Sequence, residues 1–462
     1  MELVHNSLAT LSDFLWGIPL MIALIGTGLY MTVNLDFVQF RQLPRALKMI
    51  FMPPHDEDSP GDISHFQALM TALAATVGTG NIAGVGTAMA MGGPGALFWM
   101  WITGLVGMAT KYAEAVLAIR YRTVHSNGSA AGGPMFYIER GLKSRWLALA
   151  FAVFAAVAAF GTGNMTQSNS VAEALNGAFG VPNWMSGLVM AVLAGIVILG
   201  GIKSIARVTQ VLVPFMIVFY MLAGIIAIAF NIELLPAAIK TIFIHAFTGK
   251  AVFGGMVGAG IKEAMRFGLA RGLLSNESGQ GSSPIAAAAA RTDHPATQAL
   301  VSMTQTFIDT LVVCSMTGFI IIMSQSMDGV ETGAKLTAIS FDTLLNSGIG
   351  SIITALGLAI FAYSTVLGWS YYGEICIEYI YGLKAIPFYR LAFVIVIFVG
   401  AVIRLETVWL FADVMNALMA LPNLLALVLL GNEVRKIHHD YFSSTPLKNK
   451  TYFIPTEPSG GR

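Results

Sequence analysis

Two glycine-rich segments contain the residues whose types and spacing could bind a ligand. The first reads V-G-T-G-N-I-A-G-V over residues 77–85, and the second reads S-N-E-S-G-Q-G-S-S-P-I-A over residues 275–286. Glycine has no Cβ, so the backbone at these positions can approach a ligand closely. Aligned at their glycine pairs, the segments offer the candidate residues Gly78, Thr79, Gly80 and Asn81 in the first and Gly279, Gln280, Gly281 and Ser282 in the second.

Glycine pairs and proline also break helices, and a broken helix exposes backbone groups that recognise charge. The helix that starts after a break presents N–H groups, which favour a carboxylate. The helix that ends before it presents carbonyls, which favour a cation or an ammonium group. Two breaks that face each other therefore suit a zwitterion. Close helix crossing would explain one glycine pair, but two matched segments favour a binding site.

A pair of neighbouring hydroxyls suggests a cation site. Ser364 and Thr365 follow Phe361 by about one helical turn within Y-S-T-V-L-G-W-S-Y-Y-G-E at 363–374. Hard cations prefer oxygen ligands, which hydroxyls and carbonyls supply. Hydroxyls in membrane helices commonly bond back to a carbonyl one turn earlier, and the pair alone does not decide between these roles.

Other polar side chains interrupt apolar segments and are candidates by default. Gln167 follows a G-T-G-N run, Glu277 lies inside the second glycine-rich segment, and Asp309 lies in a later apolar segment. Lys111 and Glu114 are three residues apart on one helix face, which predicts a self-satisfying structural pair. The roles of Glu277 and Asp309 stay open at this stage.

The elements that carry these residues are predicted to be membrane helices. The chain has 462 residues, of which 56% are hydrophobic and 11% charged, whereas soluble domains carry roughly 25% charged residues. Open sheet edges cannot be satisfied in lipid, so each apolar segment is predicted to be a helix. We predict an all-α membrane protein with eleven spans near residues 14–34, 64–90, 95–118, 147–178, 183–200, 206–230, 252–290, 297–325, 347–380, 386–404 and 406–430.

The distribution of basic residues orients these spans. Most Lys and Arg of the loops fall on one side, whereas Lys240, Lys250, Lys335 and Arg404 fall on the other. The positive-inside rule assigns the first side to the cytoplasm. The N-terminus is then outside and the C-terminus inside, as an odd number of spans requires, in a bacterial cytoplasmic (inner) membrane.

The two glycine-rich segments lie in the second and seventh spans, five spans apart. Matched broken segments at corresponding points of two halves are typical of inverted-repeat transporters. The organisation predicted is an N-terminal helix with a basic loop (1–62), two five-helix repeats (63–230 and 231–431), and a cytoplasmic tail (432–462).

The motifs resemble those of the alanine or glycine:cation symporter family over about residues 14–435. The resemblance rests on the segments at 77–85, 271–286 and 363–374, together with G-G-P-G at 92–95, F-W-M-W at 98–101, Lys111 and Glu114. It implies a leucine-transporter-type fold of five plus five helices with one extra N-terminal helix. It also implies sodium-coupled, or sometimes proton-coupled, symport of alanine or glycine into the cell.

The resemblance further implies roles for individual residues. One sodium ion, co-transported and not a cofactor, would be bound by the carbonyls of Ala74, Val77 and Phe361 and the hydroxyls of Ser364 and Thr365. The substrate carboxylate would meet the break at Gly78–Asn81. Gln167, the second break and Trp369 would close the pocket around the side chain.

Other function classes find less support. The formal net charge of +1 argues against a nucleic-acid partner, and no catalytic motif indicates an enzyme. The main alternative is a proton-coupled or exchange carrier of another small solute, which titration of Glu277 or Asp309 near neutral pH would favour. The sequence does not decide whether the substrate is alanine or glycine, whether the L or the D form is preferred, or what the oligomeric state is.

Overall fold

The computed structural model describes residues 2–52, 59–125, 129–248, 260–327, 330–403 and 406–443. These residues are almost all helical, and the one sheet among them is a two-stranded hairpin in which Thr123 pairs with Ala131. The predicted all-α class is therefore found in the part of the chain that is described. Lys250, Arg404 and the end of the predicted tail, 444–462, lie outside it.

The elements follow one another with short connections. In chain order they are α1 (Glu2–Leu15), α2 (Ile18–Asn34), α3 (Val38–Arg41), α4 (Leu43–Phe51), α5 (His65–Thr76), α6 (Val85–Gly92), α7 (Gly95–Arg120), β1 (Thr123–Val124), β2 (Ala130–Ala131), α8 (Pro134–Gly141), α9 (Arg145–Phe160), α10 (Thr166–Phe179), α11 (Asn183–Ile198), α12 (Gly201–Phe230), α13 (Leu235–Phe247), α14 (Ile261–Asn276), α15 (Pro284–Ala288), α16 (Pro295–Thr306), α17 (Ser315–Ser324), α18 (Gly333–Leu345), α19 (Gly350–Tyr381), α20 (Ile386–Val402) and α21 (Glu406–Phe442). Three π-helical segments join helices end to end, at Gly80–Gly84, Gly161–Met165 and Phe307–Cys314.

Eight helical spans in the described part are long and apolar enough to cross a bilayer, and a bent pair makes nine. These nine coincide with nine of the eleven predicted segments. Segment 183–200 is the shorter helix α11, and segment 252–290 becomes α14, an unwound stretch and α15, with residues 252–259 outside the described part. The number of eleven spans therefore stays a prediction.

Both glycine-rich segments interrupt their helices. In the first segment α5 ends at Thr76, and the backbone at Val77 is extended. The chain resumes as a helix at Gly80, with a bend of 52° between the two helical parts. In the second segment α14 ends at Asn276, and left-handed backbone at Glu277, Gly279 and Gly281 precedes α15. Glycine adopts this conformation without strain, which explains the glycine pair there.

Helices α7 and α14 pack most closely at two glycines. A Cβ at Gly268 would overlap the carbonyl of Ala96, and one at Gly272 would overlap the hydroxyl of Thr103. The hydrophobic effect contributes little to the association of helices in lipid. Small residues at such a crossing let the two backbones pack closely, and this packing stabilises the contact instead. This close contact places the end of α14 against the centre of the bundle.

Helix α21 continues beyond the predicted span of 406–430, as far as Phe442. Val434, Ile437 and His438 are buried along one face of this extension, a spacing that fits a helix packed on one side. The predicted tail from residue 432 therefore begins as helix, and residues 444–462 lie outside the described part.

Three of the basic residues assigned to the cytoplasm, Arg45, Arg120 and Arg390, make contacts that link helix ends. Arg120 pairs with Glu433 at 3.2 Å, and Arg390 pairs with Glu374 at 2.6 Å. Arg45 donates to Tyr441 Oη at 3.2 Å. These contacts join the ends of α4, α7, α19, α20 and α21 at the same end of the molecule.

Arg122 ties together the ends of both broken helices. Its guanidinium is buried and donates to the carbonyls of Ala288 at 3.1 Å, Ala290 at 2.7 Å, Pro60 at 2.8 Å and Thr292 at 3.2 Å. Pro60 precedes α5, and the other three carbonyls follow or end α15. One side chain therefore satisfies backbone groups from two segments more than 200 residues apart.

The same two segments also pair through their backbones. Asp62 N donates to Ala289 O at 2.8 Å, and Arg291 N donates to Ile63 O at 2.8 Å. The entry to α5 and the exit from α15 thus form one unit at this end of the bundle.

Replacing Arg122 with Leu is expected to destabilise the protein strongly. The change removes the donor from four carbonyls, three of them in buried contacts, which costs about 3 kcal/mol or more. Thermal unfolding of the purified protein in detergent measures the loss. Arg45→Gln is the control, because Arg45 is exposed at the same end and makes one such contact. An Arg122→Leu protein that unfolds at the temperature of the Arg45→Gln protein would contradict this account.

Candidate binding site

A polar cavity of about 300 Å³ lies where the two broken helices meet. Its volume is at the low end of the range for small-molecule sites. Its walls come from the first break, the α9–α10 connection, the end of α14, the middle of α19 and the start of α21. The lining includes Gly78, Thr79, Gly80, Gln167, Thr365 and Trp369 from the predicted site.

The two breaks are in contact. A Cβ at Gly80 would lie 3.5 Å from Ser275 Cα, on the last turn of α14. Ser275 and Glu277 both line the cavity. The predicted meeting of the two segments is thus made by Ser275–Glu277 of the second segment, before its glycine pair.

The remaining residues of the second segment do not line this cavity. A Cβ at Gly279 would point at Leu24 and Leu424, and one at Gly281 would point at Pro134 and Phe151. The left-handed turns that begin at Glu277 carry the chain away from the cavity and toward the outer helices.

Two side chains of the same stretch bond within their own segment. Gln280 Nε2 donates to Leu273 O at 3.0 Å, and Ser282 Oγ donates to Glu277 Oε2 at 2.5 Å. The structure therefore differs from the predicted placement of four residues against the substrate: Gly279, Gln280, Gly281 and Ser282.

Asn81 lies behind the first break and does not line the cavity either. Its Oδ1 accepts from Gly78 N at 2.8 Å, and its Nδ2 donates to Asp309 Oδ1 at 2.7 Å. Its carbonyl accepts from Thr317 Oγ1 at 2.8 Å. Asn81 thus fixes the shape of the break, whereas the sequence predicted contact with substrate.

Asp309 links the two breaks from the side opposite the cavity. Besides Asn81, its carboxylate accepts from Ser275 Oγ at 3.0 Å and from Thr310 Oγ1 at 2.9 Å. Asp309 lies in the π-helical segment Phe307–Cys314. Such segments recur at functional sites because the extra residue redirects side chains.

The predicted pairing of Lys111 with Glu114 is replaced by contacts from each residue to the second break. Lys111 Nζ donates to Glu277 O at 3.1 Å and to Ser283 Oγ at 2.5 Å. Glu114 Oε1 accepts from Gly281 N at 3.1 Å. Spacing on one helix shows that two side chains share a face, but it does not show what the opposite segment offers them.

Asn423 of α21 completes this support. Its Nδ2 donates to Glu114 Oε1 at 2.7 Å and to Gly279 O at 2.9 Å, and its Oδ1 accepts from Tyr137. The unwound stretch is therefore held from α7 on one side and α21 on the other.

Four of the five oxygens predicted to bind sodium lie close together, and they belong to Ala74, Phe361, Ser364 and Thr365. Ser364 Oγ is 3.2 Å from Ala74 O and 2.8 Å from Phe361 O, and Thr365 Oγ1 is 3.1 Å from Phe361 O. The hydroxyls thus bond back along α19 and also face α5. Val77, which supplies the fifth predicted ligand, directly follows the last residue of α5, and its backbone is extended.

Gly78 brings the cavity against this group of oxygens. A Cβ at Gly78 would overlap Thr365 Oγ1 and would lie 3.5 Å from Gln167 Oε1. Thr365 also lines the cavity. One hydroxyl therefore borders both the oxygen group and the cavity.

Two buried acceptors in the cavity wall lack a hydrogen-bond partner within the described chain. Gln167 Nε2 donates to Thr162 O at 3.0 Å, and Asn416 Nδ2 donates to Thr162 Oγ1 at 2.6 Å. The oxygens of both amides, Gln167 Oε1 and Asn416 Oδ1, are buried and unpaired. Buried polar atoms are nearly always satisfied, so these two oxygens are candidate acceptors for a ligand or a water molecule that carries donors.

Trp369 forms the bulky wall of the cavity. Its ring packs on Gly163, where a Cβ would overlap the indole, and its Nε1 donates to Glu277 Oε1 at 2.9 Å. Gly163 lies in the π-helical segment Gly161–Met165. The absence of a side chain there lets the ring lie flat against the α9–α10 connection.

Several residues that line the cavity are not among the predicted site residues. Arg271, Asp413 and Asn416 line the cavity, although the two residues of α21 are polar positions in an apolar helix and gave a readable signal. Thr162 also lines the cavity, and it belongs to the G-T-G-N run that precedes Gln167.

Two broken helices that surround a small polar cavity inside a bundle of apolar helices define a membrane transporter. The chain belongs to the sodium:alanine symporter family, whose model matches residues 1–454. It is therefore a sodium-coupled amino acid symporter and not an enzyme.

Individual relatives agree with this assignment. The chain is 54% identical over 445 residues to the sodium/alanine symporter AgcS of Methanococcus maripaludis, which covers 92% of this chain and 97% of that protein. It is 38% identical to the amino-acid carrier protein AlsT of Bacillus subtilis, over 96% of this chain and 93% of that protein. Among solved structures it is similar to MhsT in complex with L-phenylalanine, with a TM-score of 0.49 and 12% identity over 82% of this chain and 98% of that chain.

Replacing Gly78 with Ala is expected to lower sodium-dependent amino acid uptake by about tenfold or more, because the added Cβ displaces the Thr365 hydroxyl in a closely packed site. Uptake into proteoliposomes measures the effect. Gly177→Ala is the matched control, because a Cβ there meets nothing within 4 Å. Equal uptake by the two variants would show that the contact between Gly78 and Thr365 is not needed.

Proposed function

We propose that the protein carries alanine or glycine into the cell together with sodium, by alternating access. The observation that carries this proposal is the position of Thr365. Its hydroxyl lies 3.1 Å from Phe361 O among the candidate sodium ligands, and the same residue lines the cavity beside Gly78. An ion and a substrate bound on the two sides of Thr365 would order the same helix, and either would then strengthen binding of the other.

The proposed sodium site uses neutral oxygens only. Its ligands are the carbonyls of Ala74, Val77 and Phe361 and the hydroxyls of Ser364 and Thr365. A monovalent hard cation suits this set of ligands, because it prefers oxygen and carries a single charge. It does not need the negatively charged ligands that would offset a double charge. The hydroxyls can rotate to turn their lone pairs to the ion.

The proposed substrate site is the 300 Å³ cavity. The substrate carboxylate lies at Gly78, Thr79 and Gly80, where the helix that resumes after the break presents its first N–H groups. Gln167 and Trp369 border the side chain. The small volume supports a small amino acid, as does the name of the relative AgcS.

The proposed architecture is a leucine-transporter-type arrangement of two inverted five-helix repeats, 63–230 and 231–431, preceded by one helix. The positions of Arg45, Arg120 and Arg390 at one bundle end support a cytoplasmic location for that end, with the N-terminus outside. Alternating access would then open the cavity first to the outside and then to the end that carries Arg122.

Uptake of labelled alanine and glycine into proteoliposomes tests the function. An inward sodium gradient is expected to drive accumulation of both, and replacing sodium with choline is expected to abolish it. A proton gradient in the absence of sodium tests the alternative, which is coupling of uptake to protons. Accumulation driven by protons alone would overturn sodium coupling, and uptake of neither amino acid would overturn the proposed substrate.

Replacing Thr365 with Ala is expected to raise the sodium concentration for half-maximal uptake about threefold to tenfold, because one oxygen ligand is lost. Ser370→Ala is the matched control. Ser370 is buried on the same helix and also bonds back to a carbonyl, Leu367 O at 2.7 Å, but it does not line the cavity. Unchanged sodium dependence in a well-folded Thr365→Ala protein would remove Thr365 from the sodium site.

Replacing Trp369 with Leu is expected to loosen selection by size. Overpacking a rigid site costs roughly 1–3 kcal/mol, so removing the wall should let unlabelled leucine compete about tenfold better against labelled alanine. Alanine itself should bind more weakly. Trp101→Leu, which removes an indole paired with Ser315 outside the cavity wall, is the control. Leucine competition that matches the parent would leave Trp369 a packing residue only.

A further inference from the structure

Glu277 places a carboxylate in the cavity wall. Neither the proposed sodium site nor the proposed selection by size involves this carboxylate. The residue is 4% exposed and lines the cavity. Its Oε1 accepts from Trp369 Nε1 at 2.9 Å, and its Oε2 accepts from Ser282 Oγ at 2.5 Å. Each carboxylate oxygen can accept a further hydrogen bond.

The hydrogen bonds that the Glu277 carboxylate accepts within the described chain come from two neutral donors, the indole of Trp369 and the hydroxyl of Ser282. The ammonium of Lys111 is directed to the backbone carbonyl of Glu277, at 3.1 Å, and to Ser283 Oγ. Arg271 lines the same cavity, yet within the described ranges no basic side chain forms an ion pair with the Glu277 carboxylate. Lys111 stabilises the buried carboxylate through space but makes no hydrogen bond to it, so a directly bonded cation would lower the cost of burying this charge further.

The rest of the cavity wall also favours a ligand rich in donors. Gln167 Oε1 and Asn416 Oδ1 are buried acceptors without a partner among the described residues, and both belong to lining residues. An ammonium group supplies one positive charge and three N–H donors. A hydroxyl in its place supplies one donor and no charge.

We propose that the Glu277 carboxylate binds the α-ammonium group of the transported amino acid, with Gln167 Oε1 as a second acceptor. This assignment rests on the proposed function and deepens it. The substrate then spans the cavity, with its carboxylate at the first break and its ammonium at the end of α14. Trp369 acquires a second role, because its N–H positions the carboxylate while its ring limits the side chain.

This arrangement selects a chemical class. An α-amino acid neutralises Glu277 on binding, whereas a 2-hydroxy acid brings a second negative charge beside it. The site therefore rejects 2-hydroxy acids of the same shape, and Glu277 is the residue that enforces the rejection. Charge-assisted hydrogen bonds are about twice as strong as neutral ones, so the discrimination exceeds what shape alone provides.

Glu277→Gln tests the assignment, because it keeps the shape and removes the charge. The measurement is the dissociation constant of L-alanine and of L-lactate for the purified protein in saturating sodium. The parent is expected to bind alanine and to bind lactate much more weakly. In Glu277→Gln alanine should weaken by about tenfold or more, lactate should not weaken, and the ratio of the two constants should fall accordingly.

Glu114→Gln is the matched control for the ratio. Glu114 is also a buried carboxylate and also contacts the second break, through Gly281 N at 3.1 Å, but it does not line the cavity. Whatever happens to its overall affinity, its ratio of lactate to alanine constants should stay at the parent value. A change in this ratio as large as that of Glu277→Gln would assign the effect to the general loss of a buried charge, and would overturn the proposal.

The remaining outcomes are also decisive. A parent that binds alanine, with an unchanged ratio in Glu277→Gln, overturns the ammonium assignment and leaves the proposed function standing. A parent that binds neither alanine nor glycine overturns both. Where Glu277→Gln does not fold, Glu277→Asp provides the test, because it withdraws the charge from the cavity by one methylene and must lower the ratio if the proposal holds.

Discussion

A helix that is interrupted inside a membrane leaves backbone N–H and carbonyl groups that lipid cannot satisfy, and the rest of this structure depends on meeting that requirement. The first break is satisfied by Asn81, which accepts from Gly78 N and is itself held by Asp309. The second is satisfied by Lys111, Glu114 and Asn423, which reach it from two helices. Buried charged residues here maintain the shape of irregular backbone, and that shape forms the cavity.

The sequence carried enough information to locate the breaks but not to orient them. Glycine pairs, accompanied by Pro284 in the second segment, predicted both interruptions. Adjacent hydroxyls one turn after Phe361 predicted a group of oxygens that the structure does bring together with Ala74 O. The direction in which an unwound stretch leaves the helix depends on backbone conformation at single residues. Left-handed backbone at Glu277, Gly279 and Gly281 took the glycine pair away from the cavity, and no pattern of residue types reveals this.

Contacts between distant helices were also beyond the sequence. Lys111 and Glu114 share one face of α7, which predicted mutual pairing, but each finds a better partner in the unwound stretch opposite. The polar residues Asp413 and Asn416 were visible as exceptions in an apolar helix, and they line the cavity. Their meaning depended on knowing that α21 passes the α9–α10 connection, which is a property of the packing.

Arg122 holds the entry to α5 against the exit from α15, and this contact has a consequence for the synthesis and insertion of the chain. The entry to α5 finds its backbone partners at Ala289 and Arg291, and Asn81 finds Asp309, so the first broken helix meets its partners only after more than half of the chain has been synthesised. Until then its open backbone groups must remain in contact with water, with the insertion machinery or with a provisional neighbour. The first half of this protein is therefore inserted into the membrane before its backbone partners have been synthesised. Its folding is complete only after the second half has been inserted.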